Sequence, residues 1–230
     1  MQINVLQNKF LKVQISTLGA ELRSIKNLQA QKEYLWQADP KWWGRTSPVL
    51  FPRIGYEENS CVIKHGYARD SLFDLQKKTE NSLSYNLNNE LIITYTLLDF
   101  SLTVEYDVIT DMSFMIGAHP AFNISGLPSQ LVLETQEYYL LKDGKVDFKN
   151  IFTTNKHTFE VTHETFNKDA LVFKNDFSSH KVRLEDSVTV AYESEFLAIW
   201  APPGAPFICI EPWWFTTTGL KEFQFSIHFS

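Results

Sequence analysis

A strict alternation of apolar and polar residues is the feature that most limits how this 230-residue chain can fold. Between Phe100 and Val108 every second residue is apolar, and the residues between them are Ser, Thr, Glu and Asp. Successive side chains of a β-strand point to opposite faces, so the pattern predicts a strand with one buried face. The same period recurs at residues 13–15, 83–87, 188–192 and 223–229.

Two other segments, Leu91–Leu98 and Phe207–Ile210, are apolar on both faces and are predicted to be strands that pack on both sides. Helical periodicity is nearly absent, and only residues 162–169 could form one or two helical turns. Turn sequences such as Lys142-Asp-Gly144 separate the strands. About fifteen short strands at this spacing predict an all-β fold of the sandwich or barrel type, in one domain spanning residues 1–230.

Composition and charge exclude several classes of protein. Aromatic residues make up 14% of the chain, which fits strands better than helices. The formal net charge of −6 argues against a general nucleic-acid or anionic-membrane binder, because such proteins need a basic field. No apolar run approaches the ~18 residues of a membrane span, and the first residues do not resemble a signal peptide. We therefore expect a soluble, cytoplasmic protein with no nucleic-acid and no membrane partner.

The two cysteines, Cys61 and Cys209, are too few for a disulfide framework and have no zinc-ligand spacing. Neither has an obvious activating partner, so both are predicted to be buried, inert thiols. His65 and His119 could in principle bind a metal ion, but no His-x-His pair with a nearby Glu accompanies them. No metal site is predicted.

Four segments, residues 34–55, 65–70, 117–123 and 207–214, break the pattern of strands and turns. In each, an ionisable residue lies beside an apolar run and next to Gly or Pro. Functional groups often lie on such loops, held by a rigid scaffold. The first segment is also rich in Trp, whose rings could stack on a sugar or simply fill a core.

Glu211 and His119 are the main candidates for acid–base chemistry. Glu211 follows four apolar residues, and period 2 places it on the face of Phe207 and Cys209. A carboxylate there is partly desolvated, which raises its pKa toward that of a general base. The alternative is a strand-end Glu bonded to a backbone N–H or an Arg. His119 could act as an acid or base near pH 7, or be a satisfied core histidine.

His65 and Arg69 belong to the second of these segments. Gly66, which follows His65, permits a ligand to approach the backbone closely but also permits a plain turn. Arg69 could anchor sugar hydroxyls or a phosphate, or merely pair with Asp70. Both interpretations stay open for each residue.

Taken together, these segments resemble the aldose 1-epimerase (galactose mutarotase-like) superfamily, and specifically its LacX-type branch. The matching residues occur in family order over most of the chain. They are Leu18-Gly-Ala-Glu-Leu22, Tyr34-Leu-Trp36, Trp43-Gly-Arg-Thr-Ser-Pro-Val-Leu-Phe-Pro52, His65-Gly-Tyr-Ala-Arg-Asp70, Gly117-Ala-His-Pro-Ala-Phe-Asn123, Asp169-Ala-Leu171 and Cys209-Ile-Glu-Pro-Trp213. The resemblance implies a β-supersandwich of many antiparallel strands.

The resemblance also implies an activity, in which the ring of a free aldose opens and recloses on its other face. It implies that Glu211 is the general base at the C1 hydroxyl and that His119 is the general acid at the ring oxygen. His65 would assist at the ring oxygen or hold sugar hydroxyls. No metal and no cofactor would be required. The implied sugar-binding residues are Arg45, Arg53, Arg69, Asp169 and Trp213.

Two other functions stay open. A hexose-6-phosphate 1-epimerase would use arginines such as Arg45, Arg53 and Arg69 to bind the phosphate. A carbohydrate-binding or sensing protein on the same fold is the alternative outside enzymes, because loops that help to wall the pocket are shorter here than in the family. The partner is a small-molecule sugar in each case. Exposed aromatic strands are compatible with a homodimer.

Overall fold

The computed structural model describes residues 1–55, 64–133, 137–154, 157–175, 180–185, 187–216 and 219–230. Their regular structure consists of twenty-one strands and one short 3₁₀ helix, Ala68–Asp70. In this part of the chain no helix has the length and apolar character that crossing a membrane demands. The strands are β1 (Ile3–Gln7), β2 (Leu11–Ser16), β3 (Leu22–Asn27), β4 (Val49–Leu50), β5 (Asp74–Lys78), β6 (Ser82–Leu87), β7 (Leu91–Leu98), β8 (Ser101–Thr110), β9 (Phe114–Ala118), β10 (Ala121–Asn123), β11 (Ser129–Leu133), β12 (Glu137–Lys142), β13 (Lys145–Val146), β14 (Phe152–Thr153), β15 (Thr158–Val161), β16 (Leu171–Lys174), β17 (His180–Leu184), β18 (Val188–Tyr192), β19 (Phe196–Trp200), β20 (Phe207–Thr216) and β21 (Gly219–Phe229).

These strands pair in antiparallel fashion and form three sheets. The smallest has the order β1-β2-β3. The second, here called the site sheet, has the order β13-β12-β16-β19-β20-β9-β4, with β10 paired to β20 and β14 to β12. The third, here called the back sheet, has the order β15-β11-β17-β18-β21-β8-β7-β6-β5. The predicted all-β fold is confirmed.

Aromatic side chains fill the core between the site sheet and the back sheet. Tyr106 of β8 meets Trp214 of β20 edge to face, with ring centroids 6.2 Å apart. Phe114 of β9 meets Phe223 of β21 in the same way at 6.1 Å. Edge-to-face pairs at this distance add to the stability that burial alone provides. One cluster of buried side chains draws on all three sheets. The sandwich architecture is therefore confirmed, and the single domain spanning residues 1–230 stays a prediction.

The burial of individual strands confirms most of the sequence interpretation. The alternating segments form β2, β6, β8, β18 and β21. All four residues of Phe207–Ile210 are buried, because Trp36 stacks on Phe207 at 4.8 Å and covers that face of β20. The prediction that Leu91–Leu98 packs on both sides is wrong. Every second residue of β7 is only half-buried, and Leu98 is 66% exposed. Only one face of β7 points toward the core.

Residues 162–169 form successive hydrogen-bonded turns rather than a helix. The last turn is closed by the backbone N–H of Asp169, which donates to the carbonyl of Phe166 at 3.0 Å. Asp169 itself has φ +71°, a conformation that ends any helical path and that Asp tolerates better than most residues. This segment leads Asp169 to the start of β16, a strand inside the site sheet.

Candidate active site

A cavity of about 600 Å³ lies against the site sheet. Its volume falls within the range of roughly 300–1,000 Å³ that small-molecule sites occupy. Much of the wall is aromatic, with Trp43, Phe148, Trp200, Trp213 and Phe215. The ionisable residues on the wall are Lys64, His65, Arg69, His119, Lys145, Asp169 and Glu211. The cavity therefore combines acid–base groups, cations and apolar surface.

Glu211 reaches the cavity from the middle of β20, where it pairs with Ala198 of β19. The residue is 2% exposed. Its Oε2 accepts a hydrogen bond from Nε1 of Trp213 at 3.2 Å. Burial raises the pKa of the Glu211 carboxyl well above its usual range, and this hydrogen bond and the charge of Lys64 oppose the rise. The carboxylate is thus desolvated but not isolated, as a general base requires.

Gly117 of β9 makes room for the indole of Trp213. The two residues face each other across the β9–β20 ladder. A Cβ atom on Gly117 would lie 2.9 Å from Cδ1 of Trp213, closer than real contacts allow. Glycine at this position therefore lets Trp213 sit where its N–H reaches Glu211.

His119 lies at the corner between β9 and β10, on the same wall as Glu211. Its Nε2 is 3.3 Å from Oε1 of Glu211. The imidazole stacks on Trp43 with ring centroids 4.7 Å apart, and Trp200 meets it edge-on at 5.8 Å. Burial, assisted by the nearby His65, lowers the pKa of His119 well below its usual range. Its Nδ1 has no hydrogen-bond partner in the described part of the chain, so ring contacts and Glu211 orient the imidazole.

A buried carboxylate that the sequence analysis did not assign holds the loop beneath His119. Oε1 of Glu21 accepts hydrogen bonds from the backbone N–H groups of Thr46 and Ser47, at 2.8 and 3.1 Å. The same loop continues to Pro48, whose carbonyl accepts the backbone N–H of His119 at 3.1 Å. Glu21 therefore positions His119 through the backbone of this loop. Its only sequence signal is its place in the Leu18–Leu22 motif.

The ring of His65 contacts the ring of His119, with centroids 5.8 Å apart and the two planes nearly perpendicular. The backbone carries it there through positive φ angles of +70° at His65 and +69° at Gly66. A Cβ atom on Gly66 would lie 1.9 Å from the carbonyl oxygen of Phe51, so only glycine fits. Burial and the charge of Lys64 lower the pKa of His65 to about 4, which leaves its imidazole neutral at pH 7.

Three of the five predicted sugar-binding residues, Arg69, Asp169 and Trp213, line the cavity. The Arg69 guanidinium is anchored by Lys64, whose carbonyl accepts a hydrogen bond from Nη2 at 3.1 Å. Asp169 and Glu211 both line the cavity, and the charge of Asp169 contributes to the raised pKa of Glu211.

Arg45 and Arg53 are not among the residues that line the cavity in the described part of the chain, and their contact with a sugar stays a prediction. Arg45 forms an ion pair with Asp70 and donates to the carbonyl of Arg69 at 3.3 Å. Arg53 donates to the carbonyl of Ser113 at 3.4 Å. Both guanidinium groups bind the protein's own loops, and Arg45 supports the segment that carries Arg69.

The sequence analysis missed two cations of the wall, Lys64 and Lys145. Lys64 directly precedes His65 in the sequence, and this position was the signal that could have indicated Lys64 as a wall residue. Lys145 lies on the β12–β13 hairpin, which reaches the cavity only through the long-range order of the site sheet. Cys209 is buried and unpaired as predicted, and Cys61 lies outside the described residues.

Comparison with known proteins identifies the family of this chain. The model of the aldose 1-epimerase family matches residues 60–209. The plasmid and chromosomal LacX proteins of Lactococcus lactis subsp. lactis are each 30% identical to this chain, over 94% of its length and 89% of theirs. The chain belongs to the aldose 1-epimerase family.

Solved structures place the fold in the same group. A galactose mutarotase related enzyme from Lactobacillus acidophilus is 25% identical and superposes with a TM-score of 0.84 over 100% of this chain and 97% of that chain. A galactose mutarotase-like protein from Lactobacillus casei ATCC 334 has the same TM-score at 23% identity, over 100% of both chains, and bears on the fold alone. At the level of the family, an isomerase-type enzyme with a mutarotase-like function is supported.

Proposed function

We propose that this chain is an aldose 1-epimerase that interconverts the α and β anomers of a free hexose or related sugar. Glu211 is the general base and His119 the general acid. The observation that carries the proposal is the 3.3 Å separation of Oε1 and Nε2 on the wall of the 600 Å³ cavity. The C1 hydroxyl and the ring oxygen of a sugar are bonded to the same carbon, so two groups that serve them can act from neighbouring positions on one wall.

In the proposed reaction, the Glu211 carboxylate removes the proton of the C1 hydroxyl while the His119 imidazolium protonates the ring oxygen. The bond between C1 and the ring oxygen breaks, and C1 becomes a carbonyl. Rotation about C1–C2 presents the other carbonyl face, and the reverse proton transfers close the ring. Each positioned proton transfer contributes about 10²–10⁴-fold to the rate.

The buried pair keeps its net charge constant through this cycle. Before ring opening it consists of a carboxylate and an imidazolium, and afterwards of a carboxylic acid and an imidazole. Both states carry one transferable proton and no net charge, so no step leaves an uncompensated charge in the desolvated site. Burial raises the pKa of Glu211 and lowers that of His119, so the carboxylate–imidazolium form is the minor one, and it is a strong base paired with a strong acid when it forms.

The remaining wall residues hold the sugar in this proposal. The neutral imidazole of His65 can donate and accept hydrogen bonds to hydroxyls beside the ring oxygen. Asp169 accepts hydrogen bonds from sugar hydroxyls, since its carboxylate lies on the same wall as Glu211. Arg69 donates to sugar oxygens, and the indole of Trp213 both bonds Glu211 and presents an apolar face to the sugar ring.

Polarimetry tests the proposal directly. Freshly dissolved α-D-glucose and α-D-galactose are followed with and without protein, and the spontaneous rate is the baseline. Acceleration by the wild type and its loss in Glu211→Gln are expected, since the amide keeps the shape but cannot take the proton. The matched control is Glu160→Gln, which changes an exposed carboxylate. Retention of the rate within a few-fold in folded Glu211→Gln would show that Glu211 is not the base.

A hexose-6-phosphate 1-epimerase is the second candidate, and the cations of the wall favour it. The phosphate-bearing C6 is attached to the carbon beside the ring oxygen, and therefore lies on the side of the acid. Lys64 and Arg69 line the cavity together with His65 and His119, and the charges of both act on the two histidines. Lys145 adds a third cation to the wall.

Comparison of glucose with glucose 6-phosphate separates these candidates. A kcat/KM that is higher for the phosphorylated sugar, and that Lys64→Gln lowers for this sugar alone, would identify the phosphate-using enzyme. Equal loss for both sugars would contradict a phosphate role for Lys64. A carbohydrate-binding protein without activity would give saturable sugar binding in calorimetry and no acceleration of either sugar.

A further inference from the structure

Three buried donor atoms of different chemistry meet behind the wall of the cavity. A ring nitrogen of His119, Sγ of Cys209 and a carboxylate oxygen of Glu211 all lie within 4.8 Å of one another. Cys209 and Glu211 are two residues apart on β20 and so face the same side. The chain beside His119 is fixed to this strand, because the N–H of Ile210 donates to the carbonyl of Pro120 at 3.1 Å.

The donor set matches the ligands of a borderline-soft divalent cation. Imidazole nitrogen, thiolate sulfur and carboxylate oxygen are the three kinds of side-chain ligand that bind Zn²⁺. Two nitrogen or oxygen ligands of a tetrahedral zinc ion lie roughly 3.3 Å apart, given bonds of about 2.0 Å. Nε2 of His119 and Oε1 of Glu211 are separated by 3.3 Å. The sulfur lies within 4.8 Å of a ring nitrogen of His119 and a carboxylate oxygen of Glu211, and adds the third candidate ligand.

Charge balance also favours a divalent cation. One thiolate and one carboxylate neutralise the two positive charges, so the buried complex carries no net charge and avoids the cost of an unpaired buried ion. His119 and Glu211 border the cavity and Cys209 lies behind them. The fourth ligand position consequently faces the cavity, where a water molecule can occupy it.

We propose that His119, Cys209 and Glu211 form a binding site for a thiophilic divalent cation of the Zn²⁺ class, and that the bound ion excludes the sugar. On binding, the S–H bond of Cys209 breaks, a sulfur–metal bond forms, and the proton leaves to the solvent. The proton that His119 and Glu211 share leaves in the same way. The hard cations Mg²⁺ and Ca²⁺ do not compete, because they require six or more ligands and prefer oxygen.

Titration of the wild-type protein with Co²⁺ under reducing conditions tests the site without reference to activity. A thiolate-to-cobalt charge-transfer absorption in the near ultraviolet is expected, and it saturates at one ion per chain. Cys61→Ser is the matched control, because Cys61 is the other thiol of the sequence. The absorption should persist in Cys61→Ser and vanish in Cys209→Ser. Its absence in the wild type, or its survival in folded Cys209→Ser, would overturn the proposal.

Calorimetry with Zn²⁺ keeps the proposal falsifiable if Cys209→Ser does not fold. Loss of an outer-sphere partner typically weakens metal binding by about 10–100-fold, so Glu211→Gln should cost at least about tenfold. Unchanged Zn²⁺ affinity in Glu211→Gln and in His119→Asn would refute the site. Mg²⁺ should show no binding under the same conditions, and equal affinity for Mg²⁺ and Zn²⁺ would also refute it.

The exclusion of the sugar rests on the proposed function and is tested apart from binding. Zn²⁺ should inhibit mutarotation competitively with the sugar, because it occupies the base and the acid together. Each variant's rate is divided by its own rate without metal, and inhibition in Cys209→Ser should need at least about tenfold more Zn²⁺. If the Co²⁺ absorption forms and no sugar is turned over, the proposed function fails and the metal site stands. Non-competitive inhibition would contradict the exclusion.

Discussion

The indole of Trp43 stacks on the imidazole of His119, with ring centroids 4.7 Å apart and an angle of 28° between the planes. This contact matters because Nδ1 of His119 has no hydrogen-bond partner among the residues described. Stacking therefore takes the orienting role that a second hydrogen bond has in many catalytic histidines. An aromatic face also attracts a cation, so Trp43 favours the imidazolium form while burial opposes it.

Replacing Trp43 by Leu should lower kcat by about 3- to 30-fold, the equivalent of a desolvated cation–π contact. The substitution keeps an apolar side chain but removes the aromatic face, so less imidazolium is present at a given pH. The alkaline limb of the kcat–pH profile should shift to lower pH. Trp43→Phe retains an aromatic face and should restore most of the rate, whereas equal losses in both variants would show that Trp43 acts only through packing.

Glu21→Ala should destabilise the protein and lower kcat. The backbone N–H groups of Thr46 and Ser47 are buried and lose their acceptor, which costs about 1–3 kcal/mol for each group. The loop then releases the carbonyl of Pro48 that holds the backbone of His119. Glu21→Gln keeps an acceptor oxygen and is the matched control. Denaturant unfolding measures the stability of both variants, and polarimetry measures their kcat. A stable, active Glu21→Ala would disprove the positioning role.

Gly117→Ala should displace the indole of Trp213, because the new Cβ would lie 2.9 Å from its Cδ1. Loss of the N–H donor removes an interaction that lowers the pKa of Glu211, so the base should hold its proton to higher pH. The acidic limb of the rate–pH profile should move upward. Gly44→Ala is the control, since its Cβ would contact nothing within 4 Å. An unaltered profile in Gly117→Ala would refute this role.

The strands were predictable from sequence because alternation is a local property. The error at Leu91–Leu98 arose because apolar residues such as Ile92 occupy the half-buried face of β7, where burial does not require them. Sequence alone cannot tell such a residue from one that faces a core.

Residues of the candidate site were predictable only where an ionisable residue and the features that mark it lie in one short segment of the sequence. Glu211, His119 and His65 could be put forward as candidates because each lies beside an apolar run or a glycine. The pairing of Arg45 with Asp70 was not predictable, because the two residues are 25 positions apart in the sequence. The neighbourhood of Cys209 and His119 likewise depends on the pairing of β10 with β20, which is a long-range contact that no local pattern encodes.

His65 should make the protein less stable in acid. Its pKa is about 4 in the folded chain and 6.5 in the unfolded chain, so between these values only the unfolded chain binds the proton. The stability that the neutral His65 contributes is therefore present above pH 6.5 and is lost as the pH falls toward 4, by at most about 3 kcal/mol.

His65→Gln should reduce the pH dependence of the free energy of unfolding, measured by urea denaturation across this range. The residual dependence reports other groups, including His119, whose pKa is lowered in the same direction. His163→Gln removes an exposed histidine and serves as the control. If His65→Gln and the wild type lose stability equally between these pH values, the imidazole of His65 is not held neutral by the fold.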